Sequence, residues 1–198
     1  LAISSSNNHF EAIFLELQGV SYAIRSDMGR AYAYFKESLY IYEKLEDKKG
    51  IANCFRRIGG TYKGESKYEK ALMYYNKSLA LNKETGDEIC EAKNLLSIGS
   101  IYYEQGYFDK ALSVINQSLS CEEYTKDSSR LPFALYTIGD IYKSKGEYKK
   151  ALEFYHKTLK IESEGANLFG IANALRLIGR IYAIQGNYEE AFSCYEKS

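Results

Sequence analysis

The chain has 198 residues, of which 45% are hydrophobic, and its 26 Lys and Arg residues balance 26 Asp and Glu residues. This length and composition allow one or two ordinary domains with a packed core. The zero net charge argues against a general nucleic-acid-binding protein, which would normally be basic, and against a polybasic membrane surface. No apolar run reaches the roughly 18 residues that a membrane-spanning helix needs. We therefore predict no nucleic-acid partner and no membrane partner.

The sequence repeats itself with a period of 40 residues. The segment "RIGGTYKGESKYEKALMYYNKSL" begins at Arg57, "SIGSIYYEQGYFDKALSVINQSL" at Ser97, and "TIGDIYKSKGEYKKALEFYHKTL" at Thr137. Self-similarity at such a period predicts a repeat architecture. The aligned columns are Gly19, Gly59, Gly99, Gly139 and Gly179; Tyr22, Tyr62, Tyr102, Tyr142 and Tyr182; and Ala31, Ala71, Ala111, Ala151 and Ala191.

Each repeat predicts two antiparallel helices. In the second repeat, Ile51, Phe55, Ile58 and Tyr62 share one helical face, and a second helical pattern begins at Ala71. The break at 64–66 predicts a turn, where later repeats have Gly106, Gly146 and Gly186. In chain order, the predicted repeats are 7–46, 47–86, 87–126, 127–166 and a truncated 167–198. One helix pair cannot bury its apolar face alone, so we predict a single stacked array over 1–198.

Short polar residues mark the predicted helix starts. They form one column, Asn7, Asp47, Asp87, Asp127 and Asn167, and each is followed by about 17 residues of helix-compatible sequence. Pro132 fits a first helical turn. Glycine in the middle of a helix costs on the order of 1 kcal/mol relative to alanine. The column that begins at Gly19 therefore predicts a close approach of the partner helix, with the alanine column facing it.

The ends of the chain show no polar capping unit, which a solenoid needs for solubility. Residues 1–3 resemble the tail of a preceding second helix, and the chain stops at Ser198 where other repeats continue. We expect a fragment of a longer chain whose exposed ends could form a homodimer.

The columns resemble the tetratricopeptide repeat. The residues that carry the resemblance are Leu95-x-x-Ile98-Gly99-x-x-Tyr102, followed by Gly106, Phe108, Ala111 and Leu112. The 40-residue period is similar to the long-repeat subclass found in kinesin light chains, polarity adaptors and bacterial signalling proteins. The resemblance covers essentially the whole chain and implies an all-α, right-handed superhelical solenoid of about five tandem helix hairpins.

Three columns depart from the family pattern, although the small and apolar columns that imply the fold are kept. The front tryptophan is replaced by Leu15, Phe55, Leu95, Leu135 and Leu175; a late alanine by Ser38, Ser78, Ser118, Thr158 and Ser198; and the closing proline by Glu43, Lys83, Glu123 and Ser163.

The resemblance also implies a binding groove, because the first helix of each pair lines a concave surface in this family. The implied outward positions are Asn53, Arg56, Arg57 and Gly60; Lys93, Leu96, Ser97 and Ser100; Phe133, Tyr136, Thr137 and Asp140; and Asn173, Arg176, Leu177 and Arg180. From these we select the candidate partner-binding residues Asn53, Arg56, Arg57, Lys93, Tyr136, Asp140, Asn173, Arg176 and Arg180. Arginine forks suit carboxylates, and the two asparagines are implied to hold a ligand's backbone. The family's two-carboxylate clamp is not expected, because Lys93 lacks the accompanying asparagines. The plainer alternative is a solvated face whose arginines pair with glutamates along the helix.

Enzyme interpretations find no support in the sequence. His9, at a predicted helix start, and His156, in a polar column, have no ligand or nucleophile partner at helical spacing. The segment Gly59-Gly60-x-x-x-Gly64 lies in a predicted helix with no strand before it, so it is not a phosphate loop. We predict no catalytic residue, no metal and no cofactor.

The four cysteines form no Cys-x-x-Cys pair and no metal-ligand spacing. We interpret Cys54, Cys90, Cys121 and Cys194 as small apolar residues in a reducing compartment, and expect a cytoplasmic location.

The sequence thus favours a non-catalytic scaffold that binds a partner protein or peptide along its concave face. The main alternative is the sensory or regulatory part of a signalling protein, such as a histidine kinase, cyclase or transcription regulator. A receptor for short signalling peptides is a third interpretation. The identity of the partner does not follow from the sequence.

Overall fold

The computed structural model describes the backbone of residues 2–125 and 130–198, and the side chains of residues 7–121 and 130–198. Within these residues the chain forms ten α-helices and no strand, which confirms the predicted all-α fold of tandem hairpins. The helices are α1 (Ala2–Ile24), α2 (Met28–Lys44), α3 (Lys48–Gly64), α4 (Tyr68–Thr85), α5 (Glu88–Glu104), α6 (Phe108–Thr125), α7 (Leu131–Ser144), α8 (Tyr148–Glu164), α9 (Leu168–Ile184) and α10 (Tyr188–Glu196).

The helices group into two compact units. The N-terminal unit spans Leu1–Gln105 and holds α1 to α5, and the C-terminal unit spans Gly106–Ser198 and holds α6 to α10. Within each unit, every helix packs against the next one along the chain. In the N-terminal unit, α3 also contacts both α1 and α5, so the first helices of successive repeats lie side by side.

The predicted turns are confirmed. The break at 64–66 ends α3 at Gly64, and Ser66 adopts the left-handed conformation with a φ of 57°. In the later repeats this position is held by Gly146 (φ 77°) and Gly186 (φ 82°), and glycine adopts such a conformation without steric cost.

Three of the predicted N-caps are confirmed by their hydrogen bonds. Asp47 Oδ1 accepts from the backbone N–H groups of residues 49 and 50, Asp87 caps α5, and Asn167 caps α9. All three helices have the expected 17 residues. Pro132 lies in the first turn of α7, as predicted. Asp127 lies outside the described residues.

The predicted helix start at Asn7 was wrong. Asn7 lies within α1, which begins at Ala2, so Ala2 and Ile3 continue into the first helix of the repeat instead of ending a preceding one. The expected helix start at His9 is wrong for the same reason. No glycine or proline precedes Asn7 to interrupt the helix.

The predicted close approach at the glycine column is confirmed, but an aromatic ring fills it. A Cβ atom added to Gly19 would lie 2.5 Å from a ring carbon of Phe35, and one added to Gly139 would lie 2.6 Å from Tyr155. The facing alanine column is fully buried at Ala31 and Ala151. The glycine therefore leaves space for an aromatic ring to pack directly against the helix backbone. The sequence had predicted contact between the glycine and the facing alanine instead.

Buried hydroxyl groups tie the two helices of a repeat together. Ser38 Oγ donates a 2.8 Å hydrogen bond to the carbonyl oxygen of Ala12, and Ser78 Oγ donates a 2.6 Å bond to that of Ala52. Both serines are almost fully buried. The departure from alanine in this column thus adds a hydrogen bond inside each of these two hairpins.

Across the described residues, no helix combines the length and the apolar composition that crossing a bilayer requires.

Candidate functional site

The N-terminal unit carries a cavity of about 350 Å³ between α1 and α3. Apolar side chains form more than half of its walls, and two arginines, a threonine and a serine also line it. We call it the arginine cavity and define it by Val20, Ile24, Met28, Phe35, Arg56, Arg57, Gly60, Tyr75 and Ser97. The cavity thus contains Arg56 and Arg57 from the set predicted for the groove.

Arg57 is fixed by a partner on another helix. Its Nε donates a 3.0 Å hydrogen bond to Oε1 of Glu16 on α1, and only 13% of the Glu16 side chain is exposed. This contact joins one repeat to the preceding one. It therefore differs from the alternative in which the arginines pair with glutamates of their own helix.

Arg56 is held by a polar side chain of its own helix. One of its terminal nitrogens donates a 2.9 Å hydrogen bond to Oδ1 of Asn53, one turn earlier on α3. Burial raises the pKa of the Tyr75 phenol, while a hydrogen bond to Ser97 and the positive charge of Arg56 act in the opposite direction. Arg56 and Tyr75 both line the cavity, and the charge of Arg56 acts on the Tyr75 hydroxyl group.

Lys93 adds positive charge to the same side of the unit. Burial raises the pKa of Cys90, and so does the neighbouring Asp87, whereas the charges of Arg56 and Lys93 both lower it. The charges of Arg56 on α3 and Lys93 on α5 thus both act on the Cys90 thiol.

The C-terminal unit brings three of its five predicted residues together. Asn173 Oδ1 accepts a 2.8 Å hydrogen bond from Arg176 and lies 3.4 Å from the hydroxyl oxygen of Tyr136. A smaller cavity of about 240 Å³ adjoins them, with Phe133 and Phe169 at its edge. Those rings are 53% and 83% exposed.

The remaining two residues of that unit have different roles. Asp140 accepts a 2.8 Å hydrogen bond from the Tyr155 hydroxyl and pairs with Lys143, so its carboxylate is committed to internal contacts. Arg180 is exposed on α9. Asn53 and Asn173 stand in equivalent places, and each accepts from the arginine three residues later.

Four positions implied to face outward are buried instead. Leu96 is 1% exposed, Leu177 3%, and Ser100 and Thr137 5% each. Leu177 belongs to the apolar cluster around Tyr155. A short or apolar side chain at these positions packs against neighbouring side chains, whereas the long arginines at the same columns extend to the surface.

Sequence reasoning missed the partner of Arg57 and the apolar walls of the cavity. Glu16 lies 41 residues from Arg57, and its column gave no sign of an ion pair. Val20 and Ile24 are apolar residues one turn apart, and their spacing was a signal that α1 has an apolar strip beside its core-facing side.

The contacts of the two histidines do not form a catalytic or metal-binding site among the described residues. His9 Nδ1 lies 3.7 Å from a carboxylate oxygen of Asp47, and its ring packs edge-on against Tyr42. His156 is exposed. Within the part of the chain that the structure describes, no three His, Cys, Asp or Glu residues are grouped so that they could hold a metal ion.

A family model described as "Tetratricopeptide repeat" matches residues 10–84 and 130–198, and a second model with the same description matches residues 92–123. The comparison with curated protein sequences gives no match.

Solved structures share the fold at low sequence identity. BtubC (BKLC) from P. vanneervenii superposes with a TM-score of 0.79 at 17% identity, over 98% of this chain and 87% of that one. The kinesin light chain TPR-like repeats from Podosopora anserina give a TM-score of 0.71 at 14% identity, over 92% and 90%. A Rap protein complexed with competence and sporulation factor gives 0.82 at 18% identity, over 94% and 52%. The chain thus spans about half the length of that Rap protein.

Proposed function

Because the chain belongs to the tetratricopeptide repeat family, we propose that it is a non-catalytic scaffold that binds an acidic segment of a partner protein or peptide in the arginine cavity. The observation that carries this proposal is a cavity whose lining combines apolar side chains with two arginines. Binding by preformed helices costs little ordering entropy, which suits a groove that receives a flexible segment.

The charges at the site support an acidic ligand. Arg56 and Arg57 place two guanidinium groups among the residues that line the cavity, and the charges of Arg56 and Lys93 both act on the Cys90 thiol. A guanidinium presents a planar fork that matches a carboxylate in two parallel hydrogen bonds. In the C-terminal unit, Tyr136, Asn173 and Arg176 form a second group of suitable donors, which we propose as a further contact region.

The experiment begins by selecting a ligand from random sequences. A displayed library of random peptides is panned against the purified chain, and enriched peptides are synthesised with a fluorophore for anisotropy titration. We expect the enriched peptides to contain Asp or Glu beside large apolar residues. Arg56→Glu and Arg176→Glu, singly and together, should weaken binding by about tenfold or more without changing the helical circular dichroism.

Lys36→Glu is the matched control, because it makes the same change in charge at an exposed position of α2. Binding that survives Arg56→Glu with Arg176→Glu, or that falls equally with Lys36→Glu, would contradict the proposed site.

A sensory module of a larger signalling protein is the second candidate function. The likeness to a Rap protein complexed with a peptide factor supports it, and the chain spans about half of that protein. The coding sequence on both sides of Leu1 and Ser198 tests it. A catalytic or DNA-binding domain next to the repeats would support a sensory module, and further repeats followed by a polar cap would support an adaptor.

We also propose that a second copy of the chain covers the exposed apolar side of α1. Phe10, Phe14 and Leu17 are 68%, 59% and 61% exposed. In the next repeats the equivalents of Phe14 are Cys54 and Asn94, which are fully buried. Sedimentation equilibrium should show a concentration-dependent dimer that Phe14→Asp abolishes. A chain that stays monomeric at every concentration would overturn this.

A further inference from the structure

We propose that Gly60 is a specificity-determining residue of the arginine cavity: its missing side chain makes room for a large apolar side chain of the ligand, whose neighbouring carboxylate pairs with Arg56. This inference rests on the proposed function and deepens it, because it states which chemical group enters the site and which residue sets its depth.

The two adjacent glycines of α3 have different explanations. A Cβ atom at Gly59 would lie 3.0 to 3.2 Å from three ring carbons of Tyr75, so the packing of that ring accounts for Gly59. A Cβ atom at Gly60 would meet a single atom within 4 Å, the Tyr75 hydroxyl oxygen at 3.7 Å, which is an ordinary contact. The fold therefore has room for a side chain at Gly60.

The other repeats confirm that this position accepts side chains. The residues in the same column are Val20, Ser100, Asp140 and Arg180. Glycine is among the poorest helix formers. A glycine in the middle of α3 that the packing does not require leaves the space beside it open to a group from outside the chain.

Gly60 lines the arginine cavity together with the Tyr75 ring. Val20, Ile24 and Met28 supply apolar walls on the α1 and α2 side, and Arg56 stands one turn before Gly60 on α3. A side chain at position 60 would take up part of the space that these residues enclose. The group that fits is therefore apolar and carries an anion at one end.

The probe is 3-phenylpropionate, which joins an aromatic ring to a carboxylate. Two matched compounds separate its parts: 3-phenylpropionamide keeps the ring and loses the charge, and propionate keeps the charge and loses the ring. Each is titrated into the ¹⁵N-labelled chain, and chemical shifts of the backbone amides and arginine Nε–H groups are followed.

We expect 3-phenylpropionate to shift the signals of residues that line the arginine cavity and to bind more tightly than either matched compound. Gly60→Ala should weaken it about threefold and Gly60→Leu about tenfold or more, since added methyl groups occupy the space of the ring. Arg56→Gln should bring the acid and the amide to equal affinity. Gly29→Ala is the control, because Gly29 is exposed on α2 and its Cβ would meet only a carboxylate oxygen of Asp27 at 3.9 Å.

Folding is checked separately from binding. Gly60→Ala should melt at or above the temperature of the wild-type chain, because alanine favours the helix and meets no clash. Loss of binding in a variant that is at least as stable cannot come from unfolding.

The outcomes distinguish this inference from the proposed function. If Gly60→Ala and Gly60→Leu bind 3-phenylpropionate as the wild type does, the inference is overturned, while the library-selected peptides still report on the proposed function. If those peptides lose binding with Arg56→Glu but not with Gly60→Leu, the function stands and the role of Gly60 fails. If neither Arg56→Glu nor Gly60→Leu changes peptide binding, both the proposed function and the role of Gly60 are overturned.

Discussion

The side chains of Arg57 and Glu16 form an ion pair, with 3.0 Å between Nε and Oε1, that joins α3 to α1. Glu16 is 13% exposed and Arg57 34%, so the pair is shielded from water more than a typical surface pair. The Glu16 carboxylate therefore has two effects: it fixes the Arg57 side chain, and it places a negative charge beside the arginine cavity.

Glu16→Gln should therefore change stability and binding in opposite directions. We expect the free energy of unfolding to fall by about 1 kcal/mol, because a half-buried guanidinium loses its counter-charge. Binding of an acidic peptide should become several-fold tighter, because a repulsive charge leaves the site. Urea unfolding and anisotropy titration measure the two effects. Glu84→Gln, which breaks the exposed pair with Lys48, is the control and should change neither appreciably. Weaker peptide binding by Glu16→Gln would contradict an acidic ligand.

Gly139→Ala should destabilise the C-terminal unit. The added Cβ would lie 2.6 Å from a ring carbon of Tyr155, whose ring is fully buried and whose hydroxyl is held by Asp140. Because this ring has little freedom to shift, we expect a loss of about 2 kcal/mol, the usual cost of overpacking a core. Thermal or urea unfolding measures it, with Gly29→Ala as a control that should be neutral or stabilising. A Gly139→Ala variant as stable as the wild type would show that the ring is not fixed.

Ser78 and Asn94 form a buried polar pair between α4 and α5. Ser78 Oγ accepts a 2.8 Å hydrogen bond from Asn94 Nδ2 and donates to the carbonyl oxygen of Ala52. Ser78→Ala leaves the buried amide without this acceptor, which should cost about 1–3 kcal/mol.

Adding Asn94→Ala should recover part of that stability, since the C-terminal unit already has Ala134 and Ala174 in the same column. A double-mutant cycle by urea unfolding measures the coupling. If the two losses simply add, the hydrogen bond contributes no coupling and this account of the column is wrong.

Cys54 should make the chain less stable in base. Burial raises the pKa of its thiol from 9.0 to about 12, while a hydrogen bond to Ser38 acts in the opposite direction. As pH rises above 9.0, the unfolded chain loses this proton and the folded chain keeps it. The stabilisation is therefore fully present below pH 9.0 and is lost as the pH approaches about 12.

Cys54→Ala removes this group and should flatten the fall in unfolding free energy between about pH 8 and pH 10.5, as measured by urea unfolding. Some decline should remain, because burial also raises the pKa of Tyr42 to about 12. An equally steep decline in both proteins would show that the Cys54 thiol is not the cause.

Local signals in the sequence were enough to predict most of the fold. Asp47, Asp87 and Asn167 act as caps through bonds to backbone groups two or three residues away, so the pattern around each contains the whole interaction. Asn7 shows the limit of this reasoning. It has the right side chain, but it lies in a helix that starts earlier.

The candidate site was only partly predictable, because it depends on contacts between repeats. Arg56 and Leu96 stand in the same column, yet the arginine is half-buried at a cavity and the leucine is fully buried. Residues at the same position of successive repeats lie on the same face of their helices. Their burial, however, depends on the length of each side chain and on its neighbours. The pair of Arg57 with Glu16 and the space beside Gly60 both required the packing of α1 against α3.

The most direct test of the binding site is to locate a bound peptide on the chain. A library-selected peptide with benzoylphenylalanine in place of its large apolar residue is photo-crosslinked to the wild-type protein, and the products are mapped by mass spectrometry. We predict crosslinks within residues 20–28 and 56–61 that disappear with Arg56→Glu. Crosslinks on the exposed side of α2 or on α10 that persist in Arg56→Glu would contradict binding in the arginine cavity.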